Sequence, residues 1–253
     1  MAPYCSILFK ATEAAEVVKR HNRFVAGVRR PGGGALDVHL PNSGRLPELT
    51  TPGLPCRLVH HGGKRKYTES LVAVFYNGVW VLVDTHATNT VAGRLLRSNG
   101  LPGLDGYAEV RGEAVFRLPG RTGPVKGLPR FDFHLVGHPT DPDLWLEVKS
   151  VTLAEGGTAL FPDAVTTRGA RHVRELGKIA ASGGRAGVLF LVQRADPEMF
   201  APNDATDPAF GMELRRAVQK GLEVHVRRLA VEVADEPPHP LTVRLTGKLP
   251  ADL

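Results

Sequence analysis

Three side chains in two short segments have the types and spacing to hold a hard cation beside a phosphate. Asp132 lies in Arg130-Phe131-Asp132-Phe133-His134-Leu135, and Glu147 and Lys149 lie in Leu146-Glu147-Val148-Lys149-Ser150. Both segments alternate apolar and polar residues, the pattern of strands. Strand side chains repeat every second residue, so Glu147 and Lys149 share a face with Trp145, roughly 7 Å apart, while Leu146 and Val148 face a core. In the first strand Asp132 and His134 share one face, and Phe131, Phe133 and Leu135 the other. A hairpin pairing the two strands sets Asp132 beside Glu147. Two carboxylates there, with the Val148 carbonyl, suit magnesium or manganese, which take oxygen ligands; magnesium also keeps several waters. Lys149 would hold or deprotonate an attacking water while the cation offsets charge on a phosphate. Glu113, in Arg111-Gly112-Glu113, joins the shell if its strand neighbours these two. The same residue types also make surface ion pairs, which contribute little, and Glu113 can simply pair with a nearby arginine. A carboxylate pair also serves glycoside hydrolysis, but the lysine and the basic helix described next fit a polyanion better.

The elements that position these residues can be read in outline. Phe161-Pro162-Asp163 precedes a helix running to about Ser182, stopped by Gly183-Gly184. Val165, Gly169, Val173, Leu176 and Ala180 form its expected buried stripe. Arg168, His172 and Glu175 lie on an adjacent face, where Arg168 and His172 would reach a phosphate; Arg171, Arg174 and Lys178 lie on a further polar face. Asp163 is expected to cap this helix. An earlier helix is expected over 90–98, another from Pro208 through Val218, and further strands over 107–118, 187–193 and 222–233. The order of helix, three strands, helix and strand predicts an α/β core with a mixed central sheet.

Residues 4 to 85 read as all-β. Strands are expected over 24–28, 35–40, 56–60, 68–76 and 79–84, with Asn77-Gly78 as a tight hairpin turn. Five short strands in so few residues suggest an oligonucleotide-binding (OB-like) barrel, a fold that binds chains across one strand face and its loops. The domains are therefore expected at 1–85 and 86–253. Lys64-Arg65-Lys66 in a loop and Arg23 in Lys19-Arg20-His21-Asn22-Arg23 are the candidate nucleic-acid contacts of the barrel, and Tyr67 and Trp80 are candidate stacking rings or core residues.

The 253 residues carry 32 Lys and Arg against 26 Asp and Glu, a net charge of +6 that favours a polyanionic partner. The hydrophobic content of 42% and charged content of 23% are those of a globular protein. No stretch approaches the ~20 apolar residues of a membrane span, and Met1–Lys10 lacks the layout of a secretory leader, so a cytoplasmic protein is expected. Two cysteines, Cys5 and Cys56, with no paired spacing argue against structural zinc. No helix-turn-helix is evident, so DNA, single-stranded or structured, would be held mostly through its backbone. The oligomeric state stays open, with a homodimer among the options.

Over most of its length the chain resembles the sugar fermentation stimulation protein (SfsA) family. The blocks are Arg23-Phe24-Val25-Ala26, His39-Leu40-Pro41-Asn42-Ser43-Gly44, Arg65-Lys66-Tyr67, Asp84-Thr85 with Asn89, Asp132-Phe133, Glu147 to Leu153, Phe161 to Thr166, Arg168-Gly169 with His172, Gln193 and Asp207-Pro208. The resemblance implies an OB-like barrel followed by a restriction-endonuclease-like PD-(D/E)xK domain, in which Asp132, Glu147 and Lys149 form the nuclease signature. It also implies DNA binding with a role in regulating sugar use, so the alternative expectation is a largely sequence-independent DNA-binding protein without catalysis that regulates sugar metabolism. The stretch 118–130 departs from the family by its length and its glycine and proline content.

Overall fold

The computed structural model describes residues 5–117 and 127–253, and most of the departing stretch 118–130 lies outside them. A first strand, β1 (Cys5–Phe9), precedes five strands that close on themselves: β2 (Glu13–Asn22), β3 (Val25–Arg29), β4 (Ala35–His39), β5 (Pro55–His60) and β6 (Glu69–Tyr76). They pair in the order β4-β3-β2-β5-β6, and β4 returns to β6 through His39 and Ser70, closing the barrel. Its interior is filled by inward side chains including Val17, Val28, Val38, Leu58 and Leu71. β2 is not among the strands expected from the sequence, because Glu-Ala-Ala-Glu-Val-Val-Lys-Arg reads as a polar run; only Ala15 and Val17 in it are buried. The expected fifth strand, β7 (Val79–Leu82), instead leaves the barrel by the Asn77-Gly78 turn, both residues at positive φ. Through Trp80 and Val231 it meets the second sheet.

The α/β domain that carries that sheet comprises α1 (Thr85–Arg97), β8 (Glu109–Val115), β9 (Arg130–Val136), β10 (Leu144–Val151), β11 (Leu153–Glu155), β12 (Thr158–Phe161), α2 (Thr167–Ala181), β13 (Arg185–Val192), β14 (Met199–Pro202), α3 (Pro208–Val218), β15 (Glu223–Val233) and β16 (Leu241–Lys248). The strand order is β7-β15-β13-β10-β9-β8, with β10, β13 and β15 parallel and β8 and β9 antiparallel to their neighbours. β11, β12 and β14 form a small separate sheet. The central strand β13 is apolar from Ala186 to Val192 and buried there on both faces, as parallel strands require. One face packs on α1 through Val91, Leu95 and Leu96. The other packs on α2 and α3 through Val173, Leu176, Phe210 and Leu214. Each fully buried Val, Leu or Phe contributes roughly 1.5–3 kcal/mol.

After Pro237, Pro238 and Pro240 the tail forms a regular strand. β16 runs antiparallel to β15, and β1 pairs with β16, so the two ends of the chain share one ladder. No helix is long and apolar enough to cross a membrane among the described residues.

Candidate active site

The strand alternation holds where the chemistry needs it. β9 and β10 pair antiparallel with Leu144 opposite Leu135, Trp145 opposite His134 and Leu146 opposite Phe133, which carries Glu147 to the level of Asp132. There the ladder ends. The Val148 N–H donates to Asp132 Oδ2 (2.7 Å), in place of a backbone carbonyl. Beyond this break Phe131 packs on the opposite face from Phe133 and Leu135, among Trp145 and the α2 residues, rather than sharing their face as expected.

Each acidic group is held from more than one side. Asp84 caps α1 by accepting from the His86 and Ala87 N–H groups, so the helix begins five residues before its expected start. The earlier start brings Asn89 over the sheet, where its Nδ2 donates to Asp132 Oδ1 (2.9 Å). Burial first, and then the charge of Glu147, push the Asp132 carboxyl up to about 6. Glu147 is 4% exposed. Its Oε1 accepts from Lys149 Nζ (2.6 Å) and from His172 Nδ1 (2.5 Å). Burial alone would raise Glu147, but Lys149 and His172 outweigh it and hold the carboxyl below its ordinary value. Since an ionised carboxylate only accepts, His172 carries its proton on Nδ1. Glu147 Oε2 accepts nothing from the described residues, which leaves it open to a cation.

α2 carries His172 and Arg168 on one stripe at different depths. Thr166 caps the helix through the Gly169 N–H (3.0 Å). Asp207 accepts from Thr166 N (2.7 Å) and caps α3 through Phe210 N (3.0 Å), tying the two helix starts together. Arg168 is exposed, while His172 is buried beneath Glu147. The expected phosphate contact at His172 is thus corrected: the imidazole orients a carboxylate from behind. Val165 is also corrected. It precedes the helix and is 64% exposed, while Ala170 and Ile179 complete the buried stripe.

Asp163 does not cap α2. It crosses to the barrel and accepts from the Leu46 N–H (3.3 Å), and burial raises its carboxyl. A Cβ added at Gly44 would lie 2.2 Å from Asp163 Oδ2. Gly44→Ala must therefore push the barrel loop from the segment before α2, and overpacking of this kind typically costs ~1–3 kcal/mol. A melting temperature lowered by a few degrees is expected, at ~2–4 °C per kcal/mol for a chain of this size; an unchanged melt would show that the two parts are not clamped here.

Between the barrel and the α/β domain lies a cleft of 650 Å³. Asp132, Glu147 and Lys149 line it together with Asn89, Ser150 and the segment 161–168. From the barrel come Arg23 and the loop 42–44. Among the described residues neither the Arg23 nor the Arg168 guanidinium makes a hydrogen bond or ion pair. Two unpaired cations therefore flank two carboxylates.

Several expected participants lie elsewhere. Glu113 stands in β8 at the level of Asp132, but its backbone turns to φ 52° and its side chain is 68% exposed, 3.7 Å from Arg130. It does not join Asp132 and Glu147, and no cluster of three or more His, Cys, Asp or Glu side chains suited to a metal occurs among the described residues. Lys64, Arg65 and Lys66 are exposed on the β5–β6 loop, with Lys66 over the Tyr67 ring (5.2 Å), and Arg171 is exposed on α2; none lines the cleft. Trp80 packs between Phe75 and Arg57 as part of the core. Sequence reasoning assigned no role to a buried chain of polar groups behind the site: Gln193 Nε2 donates to Thr88 Oγ1 (3.1 Å), and Thr88 in turn to Ser150 Oγ (3.1 Å). Its signal is Gln193 itself, a polar residue closing an apolar strand.

Two family models cover the chain. The one described as the SfsA N-terminal OB domain matches residues 18–83, and the one described as the sugar fermentation stimulation protein RE domain matches residues 86–235. The chain belongs to the SfsA family. A sugar fermentation stimulation protein homolog of Geobacter sulfurreducens is 35% identical over 96% of this chain and 97% of its own. One of Thermosynechococcus vestitus is 34% identical, covering 91% of this chain and 93% of the relative. The structure of Pyrococcus furiosus SfsA in complex with Ca2+ matches 96% of this chain and 97% of that one, at 25% identity and a TM-score of 0.79. The SfsA architecture is thus an OB barrel followed by an α/β domain, as found here.

Proposed function

We propose that this chain is a divalent-cation-dependent nuclease that hydrolyses phosphodiester bonds of DNA in the cleft between barrel and α/β domain. One observation carries it: Asp132 and Glu147 meet at one level of adjacent strands, with Lys149 bonded to the second, in a cleft where the Arg23 and Arg168 guanidinium groups have no partner among the described residues.

The donor set fits a hard cation. Asp132 and Glu147 supply oxygens, one carboxylate oxygen is free of donors, and the Asp132 carboxyl is raised first by burial and then by the charge of Glu147, a cost that a bound cation would offset. Calcium in the Pyrococcus furiosus relative has the same ligand preference as magnesium or manganese for oxygen. A cation bound there would offset the charge that develops on a scissile phosphate. Asn89 and the Val148 N–H fix Asp132, and His172 fixes Glu147. Lys149 Nζ spends one donor on Glu147; its remaining N–H groups can orient the attacking water or a phosphate oxygen. Arg168 and Arg23 would hold the flanking backbone, a term that weakens steeply with salt.

Purified protein incubated with single-stranded, nicked and branched DNA tests this directly. Cutting with magnesium or manganese, abolished by a chelator, is the expected result. Tight binding with no cutting of any substrate would leave a DNA-binding protein without catalysis, and the nuclease would be withdrawn.

A further inference from the structure

The hairpin between β2 and β3 turns through Arg23 and Phe24, with Asn22 paired to Val25. Arg23 lines the cleft, and Phe24, its neighbour, is 49% exposed. The other nine phenylalanines are buried or half-buried. Among the described residues the exposed large apolar side chains are Ile7, Phe24, Val165, Met212 and Leu253, and Phe24 alone is aromatic. Of that group Val165 lines the cleft, while Phe24 stands at its edge as the neighbour of Arg23.

The turn that presents this ring is braced. Asn22 Oδ1 accepts from the Phe24 N–H (2.9 Å), and the Phe24 carbonyl accepts from the Leu40 N–H (2.9 Å). The guanidinium of Arg20 donates to the carbonyls of Asn22 (3.1 Å), Arg23 (2.8 Å) and Asn42 (3.2 Å), and to that of Arg45. One buttressing cation thus fixes both the hairpin tip and the barrel loop that lines the cleft. Ordering a phenyl ring in water recovers none of the roughly 1.5–3 kcal/mol that its burial would contribute. A flat apolar face on a rigid turn, beside an unpaired guanidinium, matches what a nucleotide offers: a base to stack and a phosphate to pair. In a duplex both faces of an internal base are covered by its neighbours, so only an unpaired strand or an end has a base free for the ring.

We propose that Phe24 is the stacking seat for a nucleobase of an unpaired DNA strand whose backbone runs through the cleft, with Arg23 on the adjoining phosphate. The seat rests on the nuclease reading for its DNA ligand, and it adds the substrate class: single-stranded DNA or a frayed end in preference to intact duplex.

Binding is measured by fluorescence anisotropy, in chelator so that no strand is cut, for parent, Phe24→Ala and Phe24→Tyr. The probes are a single strand, the same strand with abasic sites, and its duplex. Phe24→Ala is expected to weaken the normal single strand roughly 10-fold, the worth of one stacked base, and the abasic strand hardly at all. Phe24→Tyr keeps the ring and should bind like the parent. Phe24→Trp should show tryptophan emission quenched by the normal strand beyond any change from Trp80 and Trp145 in the parent. Equal weakening on normal and abasic strands, no weakening at all, or a parent that prefers duplex would each overturn the seat. Metal-dependent cutting that survives with no base dependence removes the seat and leaves the nuclease standing. A Phe24-dependent base preference in a protein that never cuts removes the nuclease and leaves the seat. A parent that binds no DNA removes both.

Discussion

Lys149→Ala is expected to lower metal-dependent DNA cleavage by roughly 10²–10⁴-fold, the usual weight of a positioned proton-transfer or oxyanion-stabilising group. Its Nζ lies 2.6 Å from Glu147 Oε1 and lines the cleft with Asp132. The substitution also removes one of the two groups, Lys149 and His172, that hold the Glu147 carboxyl below its ordinary value. Burial would then push Glu147 up, so a loss of cutting alone would not separate chemistry from cation binding. Calorimetric titration with calcium separates them. Lys149→Ala should still take up the cation, because His172 remains on Glu147, yet fail to cut at saturating magnesium. Glu147→Gln should lose both uptake and cutting, since it removes an anionic oxygen donor. Cleavage by Lys149→Ala at the parental rate would eliminate Lys149 from the reaction, and with it the strongest reason to regard the site as catalytic.

Asp132, Glu147 and Lys149 were legible because strand periodicity needs only local sequence: period two sets the face, and one antiparallel register sets the level. Other features depended on contacts far apart in the chain. His172 reads on a helical projection as a polar neighbour of Arg168, and only the sheet packed against α2 shows that it lies under Glu147 while Arg168 reaches the surface. Glu113 has the right level but the wrong backbone, and a positive φ at a glutamate has no local signature. β2 was hidden by its charged residues, because a strand with one solvated face and bulged pairing shows little alternation. β16 carries Leu241, Val243 and Leu245 in clean alternation, but Pro237, Pro238 and Pro240 before it suggest irregular chain. Its partner β1 lies at the other end of the sequence. Phe24 was visible as a residue, but its exposure follows from a turn braced by Arg20, whose four acceptors come from two separate loops.

Asp132→Asn should abolish cutting and, in the same protein, stabilise the metal-free fold. The Asp132 carboxyl titrates at about 6, against an ordinary 3.8, chiefly because it is buried and secondly because Glu147 is close. A carboxyl whose folded value lies above its unfolded one contributes stability that is complete below the unfolded value and is lost as pH rises to the folded one. This side chain therefore costs the metal-free protein roughly 2–3 kcal/mol between about pH 4 and pH 6, at 1.36 kcal/mol per unit, and the loss persists above pH 6. Asparagine removes that loss and keeps an oxygen for the Val148 N–H. Its own amide then faces Asn89 Nδ2, a donor against a donor, which Asn89 relieves by turning its amide over. The expected net gain at pH 7.5 is about 1–2 kcal/mol, or several degrees in melting temperature, and it should shrink toward zero near pH 4. Magnesium or calcium should raise the melting temperature of the parent at pH 7.5, because a ligand bound only by the folded state stabilises it. The rise should fade below about pH 6, where protons compete for Asp132. The variant should not respond to either cation. A variant no more stable than the parent at neutral pH would mean that the buried Asp132 carboxyl is not raised as described; a parent whose melt ignores magnesium, manganese and calcium alike would mean that Asp132 and Glu147 form no cation site, and the hydrolytic chemistry assigned to the cleft would have no metal to rest on.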